Sequence, residues 1–232
     1  MNRALVFFLL VSTFCAYGQG STKPADTTQT RKLKFLPTGI RVGTDLAGFI
    51  KSNIVDDFAA WEITTDIDFH RYLVVADFGY SASGFHSDGT EYNNDGNYWR
   101  LGIDANFLTR DKDRNAFFLG LHYGRSSYNE SMTIVSEDPL FGTLTDNFSN
   151  TGLHANWLEL NGGLKVKIWK WMWLGYTARY KFSLKSDESK EMLTHEVPGY
   201  GRTNNPATWG FNYYIFIRLP FRKASSILPP LN

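Results

Sequence analysis

Cysteine is almost missing from this sequence: Cys15 is the single one among 232 residues. One thiol so close to the amino terminus excludes a disulfide framework and a cysteine-built metal or redox centre. An excess of either charge is missing as well. The 24 Lys and Arg stand against 23 Asp and Glu, a formal net charge of +1, which excludes a bulk electrostatic pull towards nucleic acid or acidic partners. Long apolar runs are also missing; no stretch of about 18 such residues occurs, so a helical membrane span is excluded. Aromatic residues, by contrast, make up 16% of the chain and come with 20 glycines, a mixture that fits an all-β protein with many turns. The mean hydropathy of -0.30 is that of a soluble domain. It does not speak against a transmembrane barrel, whose strands turn only alternate residues to lipid.

Residues 1–18 carry the pattern of a secretory signal peptide: Arg3, a short apolar run over 4–14, and small Ala16 and Gly18 before Gln19. Cys15 raises lipid anchoring, but bulky Phe14 stands where a lipobox needs a small residue. Residues 19–38 are polar, rich in Thr and Lys and without a period, and read as a periplasmic N-terminal linker. Within them Asp26-Thr27-Thr28 resembles the short O-glycosylation sequon of Bacteroidota, which makes Thr27 a candidate modification site.

Beyond residue 38 the sequence alternates with period two in eight segments, each of a length that lets a tilted strand cross a bilayer. Residues 39–50 set Ile40, Val42, Leu46 and Ile50 against Arg41, Gly43 and Asp45. Residues 60–70 are the cleanest, with Trp61, Ile63, Thr65, Ile67 and Phe69 against Glu62, Thr64, Asp66, Asp68 and His70. The same two phases recur over 72–81, 98–108, 116–125, 158–168, 172–184 and 208–221. The last of these, TWGFNYYIFIRLPF, resembles the closing strand of a bacterial outer-membrane β-barrel, which alternates outward apolar with inward polar or small residues and ends near an aromatic, here Phe221.

The connections alternate in length. His70-Arg71, 109–115 and 169–171 are short, whereas 51–59, 82–97, 126–154 and 185–207 are long and contain Asp-Gly, Asn-Asn and Pro-Gly turn signals. The expected fold is therefore all-β: an eight-stranded antiparallel up-and-down transmembrane β-barrel over residues 39–221, with residues 222–232 as a periplasmic tail. Short turns and both termini face the periplasm in this reading, and the long loops face out of the cell.

Alternation alone does not distinguish such a barrel from a soluble, lipocalin-like one turned inside out. Three features decide. Gly43, Gly79, Gly102, Gly120, Gly124, Gly163, Gly175 and Gly210 share the polar phase, where a narrow barrel needs room inside but a solvated surface gains nothing from them. The apolar phase holds too many large rings to fit within eight strands. Finally, aromatics gather at the strand ends: Trp61, Tyr80, Trp99, Tyr123, Tyr180 and Trp209 at the outer ends, Phe69, Tyr72, Phe107, Phe117, Trp169, Trp171 and Phe221 at the periplasmic ends. Amphipathic rings prefer that interface, so these residues form the candidate girdles.

The polar phase then becomes a lumen. Asp45, Glu62, Asp66, Asp68, Asp77, Asp104 and Glu159 face Arg41, Arg100, Lys165, Lys167, Arg179, Lys181 and Arg218. Buried charges persist only when paired, so this balanced set predicts a salt-bridge network that plugs the barrel, helped by inward Phe118, Trp173, Tyr214 and Phe216. No ion-conducting pore is expected.

Chemistry is sparse. The lipid phase offers no Ser and His for a deacylase-like site. A palmitoyltransferase-like site near the outer rim would draw on His122, Ser81 or His154, yet a hydrogen-bonded lumen histidine and loop residues describe them as well. Asp111-Lys112-Asp113-Arg114-Asn115 opens like a calcium loop but has Ala116 where Gly is needed and His122 where a bidentate Glu belongs. The five His show no zinc spacing, and no phosphate-cradling glycine loop exists. No metal or cofactor is implied. Exposed apolar groups at 138–142 and 192–200 either meet a partner or pack on one another above the barrel.

Gln19 after the signal, and eight strands ending in YYIFIRLPF, give a chain similar to the small Bacteroidota outer-membrane barrels of an uncharacterised domain family. That resemblance implies an outer-membrane location and contact with outer-membrane lipids, and it gives no residue-level active site to carry over. The expected role is non-enzymatic, a structural or accessory subunit of a larger envelope machine such as barrel assembly or secretion. A lipid A-modifying enzyme or a ligand-binding barrel working through the rim and loops is the alternative.

Overall fold

The structure is a computed structural model and describes residues 36–138, 142–186 and 192–221. The expected signal peptide, Cys15, Thr27, most of the expected linker, the expected tail and residues 139–141 of the apolar stretch 138–142 lie outside the described residues.

Ten strands and one helix follow in order among the described residues. They are β1 (Gly39–Asp45), α1 (Leu46–Ser52), β2 (Phe58–Phe69), β3 (Tyr72–Ser87), β4 (Thr90–Asn106), β5 (Ala116–Asp138), β6 (Gly142–Lys167), β7 (Met172–Ser186), β8 (Glu196–Val197), β9 (Gly201–Arg202) and β10 (Ala207–Pro220). Eight of them close into a barrel in the order β1-β10-β7-β6-β5-β4-β3-β2, every neighbour antiparallel, while β8 and β9 form a separate two-stranded pair. The first and last barrel strands meet with Gly39 opposite Pro220.

The barrel is apolar outside and polar inside. Val42, Ile63, Phe78, Leu101, Leu121, Leu160 and Ile217 are exposed on the wall, and Arg41, Glu62, Asp77, Arg100, His122, Glu159 and Arg179 are buried within it. A water-soluble barrel has the opposite arrangement, so this wall is built to face hydrocarbon. Inward glycines create the space this requires. A Cβ on Gly163 would press into the Tyr176 carbonyl and the Phe118 ring, and one on Gly43 into the Phe216 ring.

Three expectations are corrected. The first strand does not run to residue 50. It ends at Asp45, whose carboxylate accepts hydrogen bonds from the amides of Ala47 (3.2 Å) and Gly48 (3.1 Å) and so caps α1, which carries Leu46 and Ile50. The stretches 82–97 and 126–154 are not loops but mostly strand. β3 and β4 run up to Asp88-Gly89, whose positive φ angles of 40° and 74° make the two-residue reversal that a twisted hairpin favours. β5 and β6 span 23 and 26 residues. A crossing strand needs only about 9–11. Their excess rises beyond the membrane wall as a second storey. Third, the stretch 185–207 is not all loop: its described residues include the end of β7 and the β8–β9 pair.

Candidate functional site

Two guanidinium groups organise the lumen. Arg100, on β4, donates from Nε to Asp77 at 3.0 Å and pairs through Nη2 with Glu62. Arg179, on β7, donates to Glu159 at 2.8 Å, to Asp77 at 3.1 Å, to the Tyr214 hydroxyl at 2.7 Å and to Asn212 at 2.9 Å. The carboxylates are further held by neutral donors: Tyr98 donates to Glu62 at 2.7 Å, Tyr214 to its other oxygen, and the Trp157 indole to Glu159 at 2.7 Å. These side chains come from the inward phases of six strands, β2, β3, β4, β6, β7 and β10, so the cluster ties opposite walls together. Three carboxylates around two guanidinium groups are held in such a place by ion pairs that hydrogen bonds from neutral donors supplement at Glu62 and Glu159.

A second cluster lies nearer the short-turn end. Asp66 receives Arg41 Nε at 2.7 Å and Lys165 Nζ at 2.8 Å, and the Lys165 ammonium sits 4.9 Å and 5.0 Å from the Phe118 and Phe216 ring centres. His122 meets Asp104 at 2.8 Å. Arg218 approaches Asp68 at 3.6 Å, and the Asp68 carboxylate accepts the His70 amide at 2.8 Å to brace the turn. A void of about 10 Å³ remains beside Thr64, His122 and Lys165, room for about one water.

Three expected members of the ion-pair network do something else. Asp45 makes no ion pair among the described residues; besides capping α1 it accepts from Asn212 (3.0 Å) and the Tyr213 amide (3.1 Å). Lys181 donates to the backbone carbonyls of Gly199 at 2.7 Å and Tyr200 at 3.1 Å. Lys167 pairs with Asp113 at 2.8 Å at the exposed turn end, which gives that calcium-like sequence a solvated structural role. Nor is any group of three or more His, Cys, Asp or Glu arranged to hold a metal among the described residues.

The Lys181 bonds close the outer mouth. Met192, Val197 and Tyr200 are buried, and a Cβ on Gly199 would enter the Tyr98 ring, so this segment sits directly on the lumen cluster. The apolar residues at 192–200 therefore pack into the barrel, Leu193 excepted, which is exposed. Above them, Glu130 accepts from Tyr92 (3.1 Å), Thr194 (3.1 Å) and Asn150 (3.2 Å). Tyr92 stacks on Phe85 at 5.3 Å, and burial holds its phenol in the neutral form well above the usual tyrosine range. Sequence reasoning missed Trp157, Tyr128, Tyr92 and Glu130. The signal was present, since each continues the inward phase of its strand past the point where Asn, Asp, Ser and Gly suggest a loop.

Beside this cap a cleft of about 350 Å³ opens between Asn156, Trp157, Ser183, Tyr200, Thr203, Asn204, Asn205 and Pro206, all uncharged. On the exterior, the candidate girdle residues Trp61, Tyr80, Trp99, Tyr123, Tyr180, Trp209, Phe69, Tyr72, Phe107, Phe117, Trp169, Trp171 and Phe221 are all exposed or half-exposed. The rings form contacts along the wall, with Tyr180 4.7 Å from Trp209 and Trp99 5.7 Å from Tyr123.

Residues 1–224 match the family model described as a domain of unknown function (DUF6048), and the chain belongs to that family. No curated protein matches it in sequence. Among solved structures, it is similar to Ail, the attachment invasion locus protein of Yersinia pestis, crystallised with the heparin analogue sucrose octasulfate: 13% identity, 79% of this chain and 98% of that one, TM-score 0.40. It is also similar to Neisserial surface protein A, at 9% identity over 80% of this chain and 96% of that one, TM-score 0.36.

Proposed function

We propose that this protein is a non-enzymatic integral barrel of a Bacteroidota-type outer membrane and a structural or accessory subunit of a larger envelope complex, with barrel assembly or secretion machinery as the settings that suit it. The observation that carries this reading is the filled lumen: Arg100 and Arg179 clasp Glu62, Asp77 and Glu159 across the axis, and the Tyr200 segment closes the mouth above them. A barrel with its interior occupied offers its surroundings two surfaces, the lipid-facing wall and the extramembrane ends. Crosslinking in native membranes followed by pull-down tests the reading. A stoichiometric complex is expected, and recovery of a solitary monomer overturns it.

The outer cleft favours a second reading, a barrel that binds a ligand at its rim. Asn156, Ser183, Thr203, Asn204 and Asn205 supply hydrogen bonds without charge, which suits a hydroxyl-rich neutral ligand. An enzymatic version finds less support, because His122 is buried against Asp104 inside the lumen rather than at the rim. Turnover of labelled lipid A by the purified barrel would reverse that preference.

A further inference from the structure

The barrel wall is uneven at its seam. β1 pairs with β10 only as far as Asp45 opposite Tyr214, and with β2 only as far as Thr44 opposite Ile63. Its neighbours continue outward: β10 stays paired with β7 up to Ala207, and β2 with β3 up to Phe58. Between the outer parts of β10 and β2 there is a notch in the sheet, and α1 stands in it.

The two sides of the notch are treated differently. On the β2 side, side chains serve the exposed backbone at two residues: Ser52 Oγ accepts the Ala60 amide at 2.7 Å, its own hydrogen shared between the carbonyls of Gly48 at 2.8 Å and Ala60 at 3.2 Å, and Thr44 Oγ1 donates to the Glu62 carbonyl at 3.0 Å. On the β10 side the same service reaches one residue, Tyr213, whose amide donates to Asp45 at 3.1 Å. The phase of β10 is fixed by its ends. The amides of Tyr213 and Phe221 point to the β1 side, and that of Arg218 points to the β7 side, donating to Trp171. The amides and carbonyls of Trp209 and Phe211 therefore point into the notch, where no strand stands beside them among the described residues. Phe211 lies two residues nearer the membrane centre than the girdle ring Trp209, at a depth where acyl chains offer neither donor nor acceptor.

We propose that this edge of β10, from Trp209 to Phe211, is a docking site for one extended segment of a different outer-membrane polypeptide, which adds to the sheet as an extra strand. Backbone groups facing hydrocarbon need backbone-like partners, and strand addition to a free edge supplies them. The flanks suit such a guest: Trp209 and Phe211 are 63% and 57% exposed, and across the notch α1 presents Phe49 and Ile50 at 64% and 55%. The described ends of the chain do not compete, since Leu36 and Phe221 lie at the opposite end of the barrel. The lumen does not compete either, being filled at this height by Tyr98, Glu62 and Arg179.

The inference rests on the subunit reading above, and two substitutions separate the two. Phe211→Pro deletes the amide that points into the notch and leaves the β7 ladder intact, whereas Phe211→Ala removes the ring and keeps the amide. A photo-crosslinking amino acid at position 209 is expected to give one discrete heterologous adduct in native membranes, retained in Phe211→Ala and reduced at least tenfold in Phe211→Pro, with heat-modifiable gel mobility showing that both barrels are folded. If the native complex persists and its adduct is equally strong in Phe211→Pro, the docking site is wrong and the subunit reading stands. If no complex is recovered, the subunit reading fails with it. An adduct of twice the chain's own mass replaces the foreign strand with a second copy and overturns the proposal. Should Phe211→Pro not fold, hydrogen exchange of the wild-type Trp209 and Phe211 amides decides: at least tenfold slower in the complex than in the isolated barrel supports the site, and equal rates overturn it.

Discussion

Arg179 and Asp77 join directly across the diameter of the barrel, at 3.1 Å, from strands that stand four places apart in the ring of eight. Asp66 and Lys165 repeat this relationship lower down at 2.8 Å. Such struts make opposite walls depend on each other.

Asp77→Asn keeps the shape and removes the charge, leaving Arg100 and Arg179 short of an anion. Breaking a buried pair from one side costs about 3–5 kcal/mol. Urea unfolding of the barrel in lipid vesicles is expected to show a loss of that size. A loss below about 1 kcal/mol, the range of surface pairs, would contradict the strut.

Gly162 and Gly163 are neighbours in sequence with opposite surroundings. A Cβ on Gly163 meets the Tyr176 carbonyl and the Phe118 ring, whereas one on Gly162 meets at 3.0 Å the flexible tip of Leu119 on the outer wall. Gly163→Ala is expected to destabilise by about 1–3 kcal/mol through overpacking, and Gly162→Ala by much less. Equal effects of the two on the urea midpoint would count against the assigned inward and outward phases.

The seven tryptophans divide by face. Trp157 and Trp173 are buried inside, and Trp61, Trp99, Trp169, Trp171 and Trp209 are on the outside. In single-tryptophan variants, lipids brominated near the headgroup are expected to quench Trp61 and Trp209 strongly and Trp157 hardly at all. Quenching of Trp157 as strong as that of Trp209 would disprove the lipid-facing wall.

In planar bilayers the purified barrel is expected to give no steady current steps, because the mouth and the mid-lumen are both occupied. Stable unitary conductance would show that a path runs past Arg100 and Arg179.

Much of this architecture was legible in the sequence, because a strict two-residue alternation defines two faces and the glycines and large rings say which of them is inside. Trp61 through Phe69 gave both faces of β2 without help from tertiary structure. The outer storey was not legible. Tyr92-Asn93-Asn94-Asp95-Gly96-Asn97 has the composition of a turn, and it is extended because Tyr92 and Asn94 pack against Glu130, His195 and the Glu196 backbone, contacts that exist only once distant segments have met. Propensity is overridden there by packing. The charges of the mid-lumen were readable as a set, but not their pairing. Lys181 sits in phase with Arg179 and yet serves the Gly199 and Tyr200 carbonyls, since that segment reaches the mouth before any carboxylate does.

The meeting of Gly39 with Pro220 also fixes when the molecule can be completed. The ring needs both β1 and β10, so closure has to wait until the whole stretch from Gly39 to Pro220 is available. Until then β1 and β10 are both open margins, prone to pairing with whatever lies nearby. A barrel with this join stays unsealed when either of the two strands is cut away.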